Sequence, residues 1–139
     1  MTELGHSTLS NCSDRIRRLH RYSLIIDMIT ALHFLHSNGV IHCDVKPSNF
    51  IIVSTAKGPV AKLIDFDMST YRDKPVHNCQ TLEYAPPEIL SMYHNINIRG
   101  AGNHVSNMAT DLWALAATII YCFSGQSPFG TTEDEINLS

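Results

Sequence analysis

The pattern of apolar and polar residues predicts one long helix in the first third of the chain. From Ser13 to Gly39 apolar side chains recur at helical spacing, and one face comprises Ile25, Met28, Ile29, Leu32 and Leu35. Ser13 or Asp14 can cap the N-terminus, since short polar side chains accept hydrogen bonds from the first turn. Gly39 predicts the end of the helix, because glycine readily adopts a left-handed backbone conformation.

Two short runs of strand-forming residues follow the helix and predict a β-hairpin. Residues 50–53 and 60–64 have strand composition, and the run 54–59 between them has the composition of a turn. A hairpin brings the residue before its first strand, Asn49, close to the residue after its second strand, Asp65. Polar residues that are distant in the sequence are therefore expected to meet at one end of the hairpin.

The second half of the chain contains one further strong signal, an apolar run that predicts a buried helix. Residues 112–123 are almost entirely apolar, and they are too few to cross a bilayer, which takes ~20 residues, so we expect a core helix at 110–123. Residues 66–85 lack periodicity and predict an extended loop, 88–90 predicts a short helix, and the Asn- and Gly-rich run 91–109 predicts a flexible loop. The predicted fold class is α+β, mostly α-helical.

Composition narrows the class of protein. The chain has 139 residues, of which 44% are hydrophobic and 17% charged, as is typical of one globular domain. Its net charge of −3 argues against a nucleic-acid partner. Four cysteines lack Cys-x-x-Cys spacing, and residues 1–18 lack a signal-peptide core. We therefore expect an intracellular protein, cytoplasmic or nuclear and not secreted, that does not engage a membrane.

Two clusters of polar residues have ordinary explanations. The basic cluster near the start of the first helix, at 15–21, is interpreted as a solvated helix terminus. Among the eight histidines, His33 and His36 share a helix face. No acidic or sulfur ligand lies at a useful spacing from that pair, so we expect solvated or packed histidines and no metal site there.

The segment 42–49, His-Cys-Asp-Val-Lys-Pro-Ser-Asn, concentrates an acid, a cation and an amide around a turn. Asp44, Lys46 and Asn49, together with Asp65, form the set of groups that phosphoryl transfer needs. A carboxylate orients the attacking hydroxyl, a cation offsets phosphate charge, and oxygen ligands hold magnesium. Taken singly, each has a simpler explanation, since a lone Asp on a turn usually caps backbone amides and a lone Lys is usually solvated.

Five motifs together resemble the eukaryotic protein kinase family. The segment 42–49 resembles its catalytic loop, His-Arg-Asp-Leu-x-x-x-Asn, and Asp65-Phe66-Asp67 resembles its magnesium-binding Asp-Phe-Gly. Residues 84–88 resemble the Ala-Pro-Glu end of the activation segment. Residues 111–113 resemble the Asp-x-Trp start of the buried central helix, and residues 128–129 resemble the Pro-Phe that follows this helix. These motifs occur in family order from about residue 19 to residue 129, which makes the resemblance specific.

The resemblance implies the C-terminal lobe of a serine/threonine protein kinase. That lobe has a long amphipathic helix, a small β-hairpin that carries the catalytic and metal loops, and a buried central helix. We assign 1–139 to a partial kinase domain, with 1–18 as the hinge and following segment, 65–88 as the activation segment and 91–109 as a loop insertion. The N-lobe is expected to be absent and the C-terminal helices truncated, so an N-lobe or partner protein is expected to cover exposed apolar surface.

The resemblance also assigns roles to single residues. It implies that Asp44 is the catalytic base, that Lys46 neutralises charge on the transferred phosphate and that Thr81 braces both. The implied cofactors are ATP and Mg²⁺. Asn49 and Asp65 are the implied metal ligands, and the implied contacts with the nucleotide come from Lys46, Asn49, Ile51 and Asp65, with Ile51 beneath the adenine ring. His42 and Phe66 match apolar-spine positions of the family.

Two departures from the family pattern lie beside these residues. Cys43 replaces the arginine that grips a phosphorylated activation loop, so phosphates on that loop lose their main local partner. Asp67 replaces a glycine, and Asp reaches left-handed backbone angles less easily than glycine does. It also adds a negative charge near the expected magnesium site. Neither change removes a catalytic group.

Three functions remain open at this point. The first is transfer of the ATP γ-phosphate to Ser or Thr hydroxyls of a protein substrate. The alternative is a catalytically inactive kinase-like module that binds partners, which Cys43, Asp67 and the expected absence of the N-lobe favour. The third is a small-molecule phosphotransferase, against which Lys46, Thr81 and the Asp111-Leu112-Trp113 run argue. The protein substrate and the pathway are not identified by the sequence.

Overall fold

The computed structural model of the chain describes residues 7–72, 75–76, 84–87, 104–105 and 107–129. This part contains three α-helices, which are α1 (Asp14–Leu19), α2 (Arg21–Ser37) and α3 (Met108–Ser124). Its strands are β1 (Ser7–Thr8), β2 (Val40–Ile41), β3 (Phe50–Thr55), β4 (Gly58–Leu63), β5 (Thr70–Tyr71), β6 (Pro75–Val76) and β7 (His104–Val105). The mixture of long helices and small antiparallel sheets agrees with the expected α+β class. The short helix expected at 88–90 lies outside the described residues.

The predicted long helix is present but is interrupted at His20. Ser13 caps α1, since its Oγ accepts a hydrogen bond from the Ile16 amide at 3.2 Å. His20 has φ −112° and ψ 17°, which is not helical and separates α1 from α2. Its amide still donates to Ile16 and its carbonyl still accepts from Leu24, so backbone hydrogen bonds span the interruption. The helix ends as expected, with Gly39 at φ 74°.

Helix α2 has apolar residues on two sides, and only one side is buried. Leu24, Met28 and Leu32 lie in the core. Ile29, which the sequence grouped on one face with Met28 and Leu32, is 47% exposed, so it does not share their buried side. Ile29 belongs instead to an outward stripe with Tyr22 and Ile26, also at helical spacing. Periodicity identifies both stripes, and the packing of the hairpin and α3 decides which one is buried.

The predicted hairpin is the centre of a three-stranded antiparallel sheet. The strand order is β1–β3–β4, and Phe50 pairs with Leu63 at one end and Thr55 with Gly58 at the other. The free edge of β4 is protected in two ways. Pro59 has no amide hydrogen, and the amide of Ala61 donates to Asp27 Oδ2 of α2 at 3.1 Å. These features discourage pairing with another chain and tie the sheet to α2.

Two-residue strands account for the main departures from the predicted loops. Strand β2 pairs with β5, and β6 pairs with β7. Strands β5 and β6 lie in the segment 66–85, and β7 lies in the segment 91–109, both of which were predicted as loops. Two residues are too few to show a period of two, so a sequence pattern does not reveal such strands.

Helix α3 begins at Met108, slightly before the predicted start at residue 110. Asn107 caps it by accepting a hydrogen bond from the Thr110 amide at 3.2 Å. Its inner side, which includes Ala114, Leu115 and Cys122, packs in the core, whereas the outer side keeps Leu112, Ile120 and Phe123 about half exposed. Helix α3 therefore has apolar residues on its exposed side as well as on the side that packs in the core. Within the described residues, no helix combines the length and apolar character needed to cross a bilayer.

Two glycines with the same backbone conformation provide a matched test of packing. Gly39 and Gly125 have φ 74° and 75°, and a Cβ at Gly39 would meet no atom within 4 Å, whereas at Gly125 it would lie 2.9 Å from Nη2 of Arg17. We expect Gly39→Ala to lower the free energy of unfolding by about 1–2 kcal/mol through left-handed strain. Gly125→Ala should lower it further, because Arg17 must move. Urea denaturation measures both; equal losses would show that Arg17 yields without penalty.

The buried thiol of Cys122 should make stability depend on pH in the alkaline range. Burial raises the pKa of Cys122 to about 11 from its ordinary value of 9.0. The folded protein therefore keeps this proton over a range in which the unfolded chain loses it, so the free energy of unfolding should fall as pH rises from about 9 to 11. Denaturation across this range should show a shallower fall for Cys122→Ala. An identical slope in that variant would contradict the assignment.

Candidate active site

The expected catalytic loop runs from the end of β2 to the start of β3. Its apolar residues are buried, with Val45 at 1% exposure, and a 3₁₀ turn at Pro47–Asn49 leads into β3. This alternation of buried and polar side chains fixes the loop to the core while its acid and cation remain partly accessible. Asp44 and Lys46 keep 15% and 26% of their side chains exposed.

Asp44, Lys46 and Asn49 lie together on this loop. Lys46 Nζ is 3.6 Å from Asp44 Oδ2, which forms an ion pair. The Asn49 amide nitrogen donates to the Asp44 carbonyl at 2.7 Å and to Oδ2 at 3.3 Å. Because Asn49 is itself buried, this bidentate contact orients Asp44 from below. The three residues that the sequence grouped therefore form one connected polar cluster.

A carboxylate that the sequence analysis gave no role anchors the same loop from α3. Asp111 is fully buried, and its Oδ2 and Oδ1 accept hydrogen bonds from the backbone amides of His42 and Cys43 at 2.8 and 2.9 Å. Its Oδ2 also lies 2.9 Å from Nε2 of His36 on α2. A buried carboxylate is tolerated when several donors surround it. Asp111 thus joins α2, α3 and the catalytic loop.

The signals for Asp111 and His36 were present in the sequence but incomplete. Asp111 stands in the first turn of an otherwise apolar helix, where an unpaired charge would be unfavourable. His36 lies at the end of α2 and was expected to be packed or solvated; it is 9% exposed. The sequence does not show which groups these two side chains contact, because their partners lie on other elements.

Asp65 follows β4 at the same end of the hairpin as Asn49, as predicted. The Ile64 amide donates to the Asn49 carbonyl at 2.8 Å, and the Ile64 carbonyl accepts from Nε2 of His42 at 2.9 Å. Nδ1 of His42 accepts from the Asp44 amide at 3.2 Å, so its proton is on Nε2. Asp65 therefore follows directly after Ile64, which is hydrogen-bonded to both His42 and Asn49 of the catalytic loop. The Asp65 side chain itself is exposed.

Two residues of this region have a left-handed backbone conformation. Among the described non-glycine residues, these are Cys43 at φ 73° and Asp65 at φ 64°. Such strain is concentrated at functional sites because surrounding contacts must hold it. Asp67 does not have the left-handed backbone that the family's glycine suggested, since the left-handed residue is Asp65. Cys43 is 1% exposed. At the position where the kinase family has an arginine, this chain therefore has a buried thiol in place of a positive charge.

The remaining expected site residues have different outcomes. His42 and Phe66 are in contact, with ring centroids 5.2 Å apart and planes at 66°. Ile51 is half-buried on β3, opposite Thr8 of β1, on the sheet face away from the core residues Phe50 and Ile52. Thr81 lies outside the described residues, so its expected contact with Asp44 and Lys46 stays a prediction.

The residues that the resemblance assigns to magnesium are one carboxylate, Asp65, and one amide, Asn49. In the described part of the chain, no group of three His, Cys, Asp or Glu side chains is arranged to hold a metal alone. Asn49 directs its amide nitrogen to Asp44, which leaves the amide oxygen as its ligand atom. Together with the exposed Asp65 carboxylate this is an all-oxygen set. Such a set suits Mg²⁺, which usually takes few protein ligands and completes its shell with water and substrate phosphates.

A shallow apolar groove borders the site on the side of α2 and β4. It encloses about 400 Å³, and its walls include Leu35, Val60 and Leu63. Phe34 and Phe66 stand at the groove with 67% and 46% of their surface exposed. Because Phe66 also contacts His42, this surface lies directly beside the candidate active site.

The Asp111 contacts predict a large and position-specific loss of stability. We expect Asp111→Asn to lower the free energy of unfolding by about 3 kcal/mol, because an amide has one acceptor oxygen and turns a donor toward a buried amide hydrogen. Asp14→Asn is the matched control, since Asp14 is 64% exposed and the Asn oxygen can still accept the hydrogen bond that Arg17 donates at 2.6 Å. Its loss should stay below about 1 kcal/mol. Hydrogen exchange at His42 and Cys43 should accelerate in Asp111→Asn alone; unchanged exchange would contradict the anchoring role.

Solved structures similar to this chain show the fold. A yeast RNA Pol II CTD kinase CTDK-1 complex matches with a TM-score of 0.67 at 20% identity, over 94% of this chain and 42% of that one. The Cydia pomonella granulovirus kinase PK-1 matches with a TM-score of 0.62 at 23% identity, over 91% of this chain and 41% of that one. These likenesses confirm the expected kinase-like α+β architecture.

Relatives of known sequence point the same way. The chain is 33% identical over 114 residues to the serine/threonine-protein kinase RUNKEL of Arabidopsis thaliana, and 33% identical over 124 residues to serine/threonine-protein kinase 17A of Oryctolagus cuniculus. It is 29% identical over 147 residues to the dual specificity protein kinase Ttk of Danio rerio. The matches cover 81%, 84% and 99% of this chain, but only 8%, 28% and 14% of those proteins. The protein kinase domain model matches residues 6–139, and the chain therefore belongs to the protein kinase domain family.

Proposed function

We propose that this chain is part of a serine/threonine kinase domain that transfers the ATP γ-phosphate to hydroxyl groups of a protein substrate. The observation that carries the proposal is the cluster of Asp44, Lys46 and Asn49, held on a strained loop by the buried Asp111. Strain and a buried carboxylate both lower stability unless other contacts offset them. The strained backbone and the buried carboxylate both lie beneath the same polar cluster, which favours a catalytic role for this site.

Asp44 is assigned the role of general base. Its side chain is 15% exposed, and its Oδ2 lies within reach of Lys46 and Asn49. A Ser or Thr hydroxyl placed beside this carboxylate would donate its proton to Asp44 as its oxygen bonds to the γ-phosphorus of ATP and the bond from that phosphorus to ADP breaks. Lys46 Nζ lies 3.6 Å from Asp44, so it is close enough to offset charge on a phosphate transferred to a hydroxyl beside this carboxylate.

Asn49 and Asp65 are assigned to the magnesium ion that accompanies ATP. When bound, this ion neutralises negative charge on the phosphates and makes the γ-phosphorus easier to attack. Ile51 is assigned to the adenine ring by its resemblance to the kinase family, and it lies on the sheet face away from the core. The Ile64 hydrogen bonds to Asn49 and His42 keep Asp65 in register with the base, so the protein's contribution is chiefly positioning.

A second function, that of an inactive kinase-like module that binds a partner, is favoured by the groove beside the site. Phe34 and Phe66 are large apolar side chains with about half or more of their surface exposed. Such surface commonly marks an interface. In that case the polar cluster would serve the fold, and substitution of Asp44 would leave the function unchanged.

Phosphate transfer by the purified chain separates these functions. With Mg²⁺ and radiolabelled ATP, a peptide library that contains Ser, Thr and Tyr acceptors should become labelled, and phosphoamino acid analysis should find phosphoserine or phosphothreonine. Because one relative is named a dual specificity kinase, tyrosine acceptors are included. Asp44→Asn should lower the rate by roughly 100-fold or more, since general-base catalysis contributes that much. Asp14→Asn, an exposed carboxylate on α1, should leave the rate unchanged.

Three outcomes would contradict the proposal. Equal rates for the unmodified chain and Asp44→Asn would assign the label to another enzyme in the preparation. Absence of label with every acceptor would favour the binding module for this chain. Labelling of an aminoglycoside or choline, but not of peptides, would instead indicate a small-molecule phosphotransferase.

A further inference from the structure

The junction of α1 and α2 packs against the end of α3 and forms a surface rich in arginine. The residues that define this arginine surface are Arg17, Arg18, Arg21, Tyr121 and Phe123. From the sequence, the basic cluster was interpreted as a solvated helix terminus. In the structure, two of its arginines instead lie over aromatic rings of another helix.

Arg21 is the central residue of this surface. Its guanidinium lies 4.4 Å from the centroid of the Phe123 ring, and Phe123 is 52% exposed. Among the described residues, no carboxylate pairs with Arg21, and its Nε is buried without a hydrogen-bond partner. Stacking on an aromatic ring fixes the plane of a guanidinium while leaving its charge available. Arg21 is therefore a cation that stacks on a half-exposed ring and, among the described residues, has no carboxylate to offset its charge.

Arg17 supports this arrangement from below. It is 8% exposed, its Nη2 donates to Asp14 at 2.6 Å, and its guanidinium lies 5.5 Å from the Tyr121 ring centroid. It also lies against Gly125, where α3 ends. Cations are favoured at a helix C-terminus, so Arg17 has a structural role. Even so, its Nε is also buried without a partner.

The local charges leave this surface positive. Arg18 Nη2 is 3.8 Å from Asp14 Oδ2, and both side chains are largely exposed, at 70% and 64%. Such a contact is weak in water. Asp14 therefore pairs with two of the three guanidinium groups, those of Arg17 and Arg18, and among the described residues Arg21 has no carboxylate partner. An additional carboxylate placed here would gain charge-assisted hydrogen bonds without first breaking a strong ion pair.

We propose that the arginine surface is a docking site for a carboxylate-rich linear segment of a protein partner. A carboxylate of that segment would accept hydrogen bonds from Arg21, a neighbouring one would pair with Arg18, and the aliphatic part of the segment would cover Phe123. A peptide fits better than a nucleic acid, because the chain as a whole has a net charge of −3 and would repel an extended polyanion. The surface contains no residue of the candidate active site, so the inference goes beyond phosphoryl transfer and is tested without it.

The test is direct binding of a short fluorescein-labelled peptide in which Glu and Gly alternate, measured by fluorescence anisotropy with the full chain. A peptide with Gln in place of Glu is the neutral control. We expect saturable binding of the Glu peptide alone, weakened by added salt because charges are screened. Arg21→Gln should weaken binding roughly five- to tenfold, which corresponds to the loss of one charge-assisted contact. Arg18→Gln should act in the same direction.

Lys62→Gln is the matched control, because Lys62 is an exposed cation on β4 beside the groove. It removes the same charge away from the arginine surface and should leave binding unchanged. Equal weakening by Lys62→Gln would mean that only net charge matters, and this would overturn the proposal. So would absence of saturable binding, equal binding of the neutral peptide, or tighter binding of a single-stranded oligonucleotide than of the Glu peptide. Should Arg21→Gln unfold, Arg18→Gln decides the outcome, since Arg18 is exposed and its replacement leaves the core intact.

Discussion

The candidate active site depends on one buried carboxylate that joins three parts of the chain. Asp111 accepts hydrogen bonds from two successive backbone amides of the catalytic loop and contacts His36 on α2. In a low-dielectric interior such bonds are strong, and leaving any of these groups unpaired is unfavourable. The loop therefore takes its shape only when α2 and α3 are packed together. Site geometry and core packing are consequently parts of one cooperative structure.

The hairpin supplies the second constraint by keeping Asn49 and Asp65 in register. Residues Phe50 to Thr55 pair with Leu63 to Gly58, and the Ile64–Asn49 hydrogen bond extends this ladder to the site. A shift of one residue would turn Phe50 and Ile52 away from the core, so apolar burial determines the register. The positions of the polar groups thus follow from apolar packing. The strained backbone at Cys43 and Asp65 is supported by the same contacts.

Several surfaces remain available once the core is formed. The groove at Phe34 and Phe66 is apolar, whereas the arginine surface at the other end of α2 is cationic and aromatic. Neither surface is needed to explain the polar cluster at Asp44. They differ in chemistry, and each would therefore select a different class of partner. Both surfaces include residues of helix α2, which has apolar side chains on its buried side and on its exposed side.

Local physics accounts for what could be inferred from the residues alone. Side-chain chemistry and spacing over short distances account for the Ser13 cap, the left-handed Gly39, the two hairpin strands and the position of Asn49 and Asp65 at one end of the hairpin. The order of the motifs also identified the family. Tertiary packing decided which side of α2 is buried, where the two-residue strands form, that Asp65 and not Asp67 is left-handed, and that Asp111 and His36 anchor the loop. These features depend on contacts between residues far apart in the sequence, and a local pattern carries no information about which distant group will complete a hydrogen bond or cover an apolar face.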